Sequence, residues 1–212
     1  MEAIRIKMVG ITASFRNPNF VSGAQPTLDV PPPSTILGII SSAVGRIITP
    51  EDVKFGYVFL YETKGKDLEL IYELTIKDKY KAKSNVILRE FLFSPELYIY
   101  IDDLSFEKYF IYPEFPLLLG RTQEIAKVEE VKKVVLEKAS PVRFGHTVVP
   151  FDFKGVAGAL LALPLYFEYN FTKPRVGKKI QPFVVVNRFI QYAREPIFYD
   201  QEKNWGVYFY GV

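Results

Sequence analysis

The sequence predicts an α+β fold in which a ferredoxin-like N-terminal half is followed by a β-rich C-terminal region. Three observations support this prediction. Patterned segments in residues 1–121 follow the order strand, helix, strand, strand, helix, strand, which is the ferredoxin-like order. Aromatic residues make up 16% of the chain, and bulky rings favour strands. With 212 residues and 49% hydrophobic content, the chain is long and apolar enough to bury a core.

The first element is a strand over the segment AIRIKMVGI, residues 3–11. Apolar residues alternate there with Arg5 and Lys7, and a period of two is typical of a half-buried strand. Asn, Gly, Pro and Ser then recur through residues 14–33, which predicts a long loop. Loops of this length inside a folded domain usually serve a function.

A helix is predicted over residues 34–48, directly after three consecutive prolines. Ser34 is suited to the N-cap position. The apolar residues that follow recur at helical spacing: Ile36, Ile40, Ala43, Val44 and Ile47. Thr49 precedes Pro50 and is therefore disfavoured in helical geometry, which predicts the end of the helix.

The prolines at residues 31–33 fix three φ angles immediately before this helix. The start of the helix is therefore held in position, and free amides at a helix start favour anions. This predicts an anion pocket at the amides of Ser34 and Thr35. A rigid loop that leads into a core helix is the alternative interpretation of the stretch alone.

The remaining elements of the N-terminal half are strands and one short helix. Two aromatic and β-branched runs, VKFGYVFLYET and DLELIYELTIKDKY, are predicted to form a hairpin joined by KGK. A strand is predicted at residues 96–101, followed by a short helix over SFEKYF. A further strand, FPLLLGR, is predicted to end at Gly120. We place a ferredoxin-like domain at residues 1–121.

The C-terminal region, residues 122–212, is predicted to be β-rich and packed on the first domain. The segment EIAKVEEVKKVVLEKA fits a helix by spacing and a strand by its valines, and we favour the strand. Further strands are predicted in VVPFDF, ALPLYFEYNF, PFVVVNRFI and WGVYFYGV.

Composition excludes several classes of chemistry. The chain has no cysteine, which excludes disulfides, thiolate metal sites and cysteine nucleophiles, and we expect no metal or cofactor. The net charge of +3 is too small to show a polyanionic partner by itself. The N-terminus lacks the features of a signal peptide, and no run of apolar residues is long enough to span a membrane. We therefore expect a cytoplasmic protein without membrane contact.

Basic residues are concentrated in the segment TIKDKYKAKSNVILRE. Four lysines fall on alternate positions, and Arg89 keeps the same parity: Lys77, Lys79, Lys81 and Lys83. In an extended ribbon all of these side chains lie on one side, an arrangement that suits a phosphate backbone. Lysines that protect an exposed strand edge are the alternative interpretation.

Three segments together resemble a known family. The segment GAQPTLDVPPPSTILGIISSAVG resembles the Pro-rich turn and Ser-capped first helix of the CRISPR-associated RAMP proteins of the Cas-five family. The segment LREFLFSPELYIYI is similar to the family's Arg-Glu-x-Leu-x-x-Pro segment, and PEFPLLLGR is similar to its strand ending in Leu-Gly-Arg. The three segments occur in family order and spacing within residues 1–137.

The resemblance implies an RNA-binding subunit of a type I effector complex (Cascade) that acts in antiviral defence. It further implies a ferredoxin-like (RRM-like) body with a β-hairpin thumb, placed here at residues 67–91. In that family the protein caps the complex at the 5′ handle of the CRISPR RNA (crRNA), beside the large subunit and the last backbone subunit. The lysine ribbon matches the thumb by position.

The residues themselves support an RNA-binding interpretation. Cations, helix-start amides and aromatic rings are the groups that hold irregular single-stranded RNA. We assign the anion pocket to Ser34 and Thr35, loop contacts to Arg16 and Asn17, and stacking to Tyr80. Phosphate contacts are assigned to the basic residues Lys77, Lys79, Lys81, Lys83, Arg89 and Arg121.

Two other functions stay open at this point. The first is a metal-independent endoribonuclease for precursor crRNA, for which His146 and Tyr80 are the candidate catalytic residues. The second is an assembly protein that makes no direct RNA contact and uses a C-terminal aromatic patch. That patch would contain Phe198, Tyr199, Trp205, Tyr208 and Tyr210.

Overall fold

The structure is a computed structural model that describes residues 1–20, 24–76, 80–170 and 173–211. Strands dominate the described part of the chain, and helices are few. The elements are, in chain order, β1 (Glu2–Gly10), β2 (Thr12–Ala13), β3 (Ala24–Gln25), α1 (Pro33–Val44), β4 (Phe55–Leu60), β5 (Thr63–Ile76), β6 (Tyr80–Phe93), β7 (Glu96–Ile101), α2 (Glu107–Ile111), β8 (Ala126–Val135), β9 (Glu137–Ala139), β10 (Val142–Phe144), β11 (Thr147–Pro150), β12 (Ala159–Asn170), β13 (Lys173–Val186), β14 (Ile190–Tyr192), β15 (Ile197–Asp200), β16 (Trp205–Val207) and β17 (Phe209–Tyr210).

The central sheet has five antiparallel strands in the order β17–β4–β7–β1–β8. Ile4, Ile6 and Met8 of β1 share a core with the apolar residues of α1, as the alternation in the sequence predicted. Trp205 and Val207 of β16 pack in a second core with residues of β4 and β7. Both faces of the sheet are therefore covered. Because β8 and β17 belong to it, the sheet draws strands from both sides of residue 121.

Helix α1 forms where it was predicted, but its ends differ. Pro32 is the N-cap and makes no side-chain cap hydrogen bond, so the prediction of Ser34 as N-cap is wrong. Pro33 takes the first helical position because its fixed φ suits a helix and its missing N–H leaves no unpaired donor there. The helix ends at Val44, since Gly45 adopts a left-handed conformation with φ of 82° and its amide donates to the carbonyl of Ser41 at 2.9 Å.

Two strand predictions in the first half are wrong. The tripeptide KGK, residues 64–66, lies inside β5, which pairs with β6 along its whole length from Thr63 to Ile76. The predicted partner β4 instead pairs with β7, because its unbroken apolar run suits a strand covered on both faces. The segment FPLLLGR is not a strand: only an isolated bridge joins Leu118 to Ile125, and β8 occupies the edge of the sheet.

The β5–β6 hairpin carries apolar side chains on one face. Leu68 of β5 lies opposite Leu88 of β6, and Leu70 lies opposite Val86. We use the term apolar stripe for this set, whose members are 40–75% exposed: Leu68, Leu70, Tyr72, Leu74, Val86 and Leu88. Alternation along the strands places Asp67, Glu69 and Arg89 on the opposite face.

The C-terminal part is β-rich, as predicted, and packs on the central sheet and on α1. Hairpin β12–β13 lies along α1, where Leu163 and Phe183 enter the main core. Trp205 and Tyr210 are buried, and Trp205 stacks on Phe189 with ring centroids 5.9 Å apart. Core packing therefore accounts for these two rings of the proposed aromatic patch. Among the described residues, no helix has the length and apolar character needed to cross a membrane.

Candidate nucleic-acid interface

A groove of about 680 Å³ opens beside the first turns of α1. Its walls come from the loop after β1, from β6, from the segment before β8 and from hairpin β12–β13. The volume falls within the range of about 300–1,000 Å³ that is typical of small-ligand pockets. Basic side chains and small residues of α1 make up much of the lining, which includes Arg16, Ser34, Thr35, Gly38, Ser42, Arg89, Glu90, Gly120, Arg121, Phe167 and Arg175.

The fold brings five of the predicted site residues to this groove, and they come from four separate segments: Arg16, Ser34, Thr35, Arg89 and Arg121. Asn17 and Lys83 are described but do not line it. Lys77 and Lys79 lie outside the described residues, as do the side chains of Tyr80 and Lys81. The lysine ribbon therefore stays a prediction.

The proline step is fixed to the sheet beneath it. The hydroxyl group of Tyr57, a buried residue of β4, donates to the carbonyl of Pro31 at 2.6 Å. The amide of Thr35 donates to the carbonyl of Pro32 at 2.9 Å, so the first turn of α1 closes on itself. Thr35 consequently offers a ligand its hydroxyl group rather than its amide. Gly38 and Ser42 follow Ser34 at steps of four, which places small and hydroxyl-bearing residues along the groove.

Two of the groove arginines share one carboxylate. Glu69 of β5 forms ion pairs with the guanidinium groups of Arg89 and Arg121, and the second pair has an N–O distance of 3.6 Å. Burial, followed by the charge of Arg89, lowers the pKa of Arg121. The Nε of Arg89 is buried without a hydrogen-bond partner among the described residues. Arg89 and Arg121 are thus held side by side at the groove, where the charges of Glu69, Glu124 and Asp67 act on Arg121.

The Leu-Gly-Arg segment explains how Arg121 is positioned. Glu124 is only 3% exposed, and its carboxylate accepts hydrogen bonds from the hydroxyl of Ser14 at 2.9 Å and the amide of Arg121 at 2.6 Å. Gly120 has φ of 136°, and an added Cβ would clash with the carbonyl oxygen of Ser14 and with Glu124. Only glycine suits this position, so the turn fixes the start of the Arg121 side chain.

Glu90 is the acidic residue of the groove lining. Its carboxylate accepts a hydrogen bond from the amide of Thr27 at 3.3 Å and lies 3.8 Å from the ammonium of Lys64 and 4.0 Å from that of Lys66. Lys64 also forms an ion pair with Asp29 at 2.6 Å, so the two lysines offset part of the charge of Glu90.

Sequence reasoning did not connect Phe167 or Arg175 with the groove that they line. Both belong to hairpin β12–β13, and the sequence around the end of β12 and the start of β13 is YNFTKPRVGKK. That basic run beside aromatic residues was the available signal. It lies far along the chain from the motifs at residues 29–48, and only the packing of the hairpin against α1 joins the two regions.

His146, the candidate catalytic histidine, does not line the groove. Its ring packs edge-on against Phe189, with centroids 4.5 Å apart, and its Nδ1 is buried without a partner among the described residues. Burial, followed by the charge of Arg143, lowers the pKa of His146 and favours the neutral ring. The described residues also contain no cluster of three or more groups able to hold a metal ion.

Comparison with known proteins finds one family model that is similar to the N-terminal part of the chain. A family model described as CRISPR-associated protein (Cas_Cas5) matches residues 3–64, which include the proline step and α1. This matched stretch, less than a third of the chain, is similar to the Cas-five family of CRISPR-associated proteins. This confirms the resemblance carried by the sequence motifs. No curated protein sequence matches the chain.

Solved structures share the fold of this chain at low sequence identity. A chain of a CRISPR RNA-guided surveillance complex is 14% identical with a TM-score of 0.58, over 92% of this chain and 91% of that one. A chain of the Type III-B Cmr-beta complex bound to cognate target RNA is 11% identical with a TM-score of 0.56, over 90% and 86% of the two chains. The likeness extends over both halves of the protein and concerns its fold.

Proposed function

We propose that this protein is an RNA-binding structural subunit of a type I CRISPR effector (Cascade) complex, in which it caps the 5′ handle of crRNA. One observation carries the proposal: four arginines from four separate segments line a single groove at the start of α1. Arginine is suited to phosphate because its planar guanidinium donates several hydrogen bonds in a fixed geometry.

The architecture supports the same role. The strand order β8–β1–β7–β4, with α1 and α2 in the connections, supports the proposed ferredoxin-like body. Hairpin β5–β6 extends from that body and is the proposed thumb. We keep the proposed division into a body and a C-terminal β region, with β8 and β17 contributing to the central sheet.

The groove is suited to single-stranded RNA. Arg89, Arg121 and Arg175 would contact phosphates, while the hydroxyl groups of Ser34 and Thr35 would donate to phosphate or ribose oxygens. Lys83 is exposed on the proposed thumb, which would extend the basic path beyond the groove. Lys77, Lys79, Lys81 and Asn17 stay proposed contacts, and Tyr80 a proposed stacking residue.

The proposed partners are crRNA and the backbone and large subunits of the complex. Support comes from the two structural relatives, which are chains of a CRISPR RNA-guided surveillance complex and of an RNA-bound Cmr-beta complex. We propose a non-catalytic role, because the described residues that line the groove include arginines, serines and Glu90 but no histidine or tyrosine. RNA cleavage by the wild-type protein that His146→Ala abolishes would contradict this role.

The test is RNA binding by the full chain across a range of salt concentrations. The probe is a labelled single-stranded RNA with the repeat sequence of the source organism. For each phosphate that a variant no longer binds, the slope of log K against log salt should fall by about 0.7. We expect this change for Arg89→Gln and Arg121→Gln but not for Arg46→Gln, an exposed arginine outside the groove. Equal slopes for all three variants would overturn the proposal.

A further inference from the structure

Phe167 is an aromatic side chain that lines the basic groove without being buried. It belongs to β12, and 42% of its surface is exposed. No other described aromatic ring contacts it. The same cavity is lined by Arg175 of β13 and by Gly38 of α1. An apolar ring therefore lies in a cavity that arginine side chains also line.

On one side, the ring of Phe167 lies beside a glycine of the neighbouring strand. Phe167 lies opposite Gly177 in the register of hairpin β12–β13. An added Cβ on Gly177 would lie 3.6 Å from Cε1 of Phe167 and 3.0 Å from Cβ of Pro164. The ring thus rests beside a residue with no side chain, and the exposed 42% of Phe167 is open to contact with a ligand.

The groove also has room for a flat group. An added Cβ on Gly38 would meet no atom within 4 Å, so the helix surface at that position is open. Ser34 and Ser42, one turn away on either side, also line the groove. A helix face without bulky side chains thus shares the cavity with the exposed ring.

We propose that Phe167 is a stacking platform for one unpaired nucleobase of the bound RNA strand. The inference rests on the proposed RNA-binding function and adds to it the position of a base. In this arrangement the guanidinium groups hold phosphates, and one base extends over the ring. Stacking on an aromatic ring does not require a particular base, because every base has a π face.

The composition of the site favours a nucleobase over an apolar protein segment. Arginine and serine side chains line the cavity that contains the ring, and an apolar segment would cover these polar groups without offering them hydrogen bonds. A nucleotide supplies both an anionic group and a flat π surface, and grooves for single-stranded nucleic acid combine these two contacts.

The experiment measures the affinity of the full chain for single-stranded repeat RNA, together with fluorescence from 2-aminopurine placed at one position at a time. A stacked 2-aminopurine loses fluorescence on binding. We expect such quenching at one position with the wild-type protein and with Phe167→Tyr. With Phe167→Leu the quenching should disappear, and the affinity should fall by about 5- to 150-fold. The salt slope should not change, because no phosphate-binding group is removed.

Phe151→Leu is the matched control, because Phe151 is also exposed but does not line the groove. It should bind RNA like the wild-type protein. If the wild-type protein binds RNA and Phe167→Leu binds equally well with the same quenching, the stacking platform is overturned while the proposed function stands. If the wild-type protein does not bind RNA, the proposed function is overturned and the platform with it.

Discussion

Arg5 donates a hydrogen bond to the carboxylate of Asp200 at 2.9 Å, although the two residues are 195 positions apart in the chain. Arg5 is fully buried in the centre of β1, and Asp200 ends β15. The hydroxyl group of Tyr100 donates to the same carboxylate at 2.8 Å. This contact joins the central sheet to the C-terminal strands through charged groups as well as through apolar packing.

The first prediction concerns this buried pair. Arg5→Met should lower the free energy of unfolding by about 3–5 kcal/mol, because it leaves a buried carboxylate without its charged partner. The double variant Arg5→Met with Asp200→Leu should recover part of that stability, since it removes the buried carboxylate and leaves only Glu130 and Glu202, which are partly exposed, without their arginine. Urea unfolding measured for the wild type, both single variants and the double variant checks the expectation. Additive destabilisation would contradict the coupling.

The second prediction concerns stability at acid pH. The hydrogen bond from Lys132, followed by that from Arg5, lowers the pKa of Glu202 from 4.5 to about 2. Because the folded state binds this proton less tightly than the unfolded chain, the stabilisation is complete above about pH 4.5. It is lost as the pH falls from 4.5 toward 2.

Thermal unfolding from pH 6 to pH 2 tests this expectation. Glu202→Gln should reduce the loss of stability below pH 4.5. Lys132→Gln serves as the partner variant, since it removes the leading cause of the lowered pKa, and should act in the same direction. Unchanged profiles for both variants would be inconsistent with this ion pair.

The third prediction concerns the glycine before Arg121. Gly120→Ala should weaken RNA binding about as much as Arg121→Ala, because the added Cβ displaces the turn that positions the arginine. It should also lower the melting temperature, whereas Arg121→Ala should change it little. RNA affinity and thermal unfolding of both variants provide the comparison. Wild-type affinity in Gly120→Ala would show that the turn does not position Arg121.

The fourth prediction concerns the open glycine of α1. Gly38→Ala should raise the free energy of unfolding by roughly 0.5–1 kcal/mol, because alanine favours a helix and the added Cβ meets no atom within 4 Å. Gly38→Leu should also fold but should weaken RNA binding, since its side chain occupies the groove. Chemical unfolding and RNA affinity of the two variants separate these effects. Normal RNA affinity in a folded Gly38→Leu protein would place the RNA elsewhere.

Local patterns predicted those elements that packing does not alter. The alternation around Ile4 and Ile6 predicted β1, and residues 96–101 form the strand expected there. The spacing of apolar residues predicted α1 but not its ends, because Pro33 and Gly45 determine those through backbone geometry. Both ends could have been predicted from the known preferences of proline and glycine.

Pairing between distant segments could not be predicted in the same way. Strand β5 pairs with β6, and β4 pairs with β7. The burial of β4 in the central sheet selects its partners, and the local sequence does not specify them. The same limit applies to the groove. Arg16, Arg89 and Arg121 were each recognised as basic residues, whereas Phe167 and Arg175 enter only through the packing of β12 on α1. Long-range packing, which a single sequence does not encode locally, completes the site.

The apolar stripe affects how free copies of the protein interact with one another. Leucine and valine side chains stay in contact with water along one face of the hairpin, and in the described part of the chain β5 is hydrogen-bonded to β6 alone. An apolar ladder beside an open backbone edge promotes self-association of free chains. We therefore expect free copies to self-associate as their concentration rises, and a surface that covers the hairpin to suppress this association.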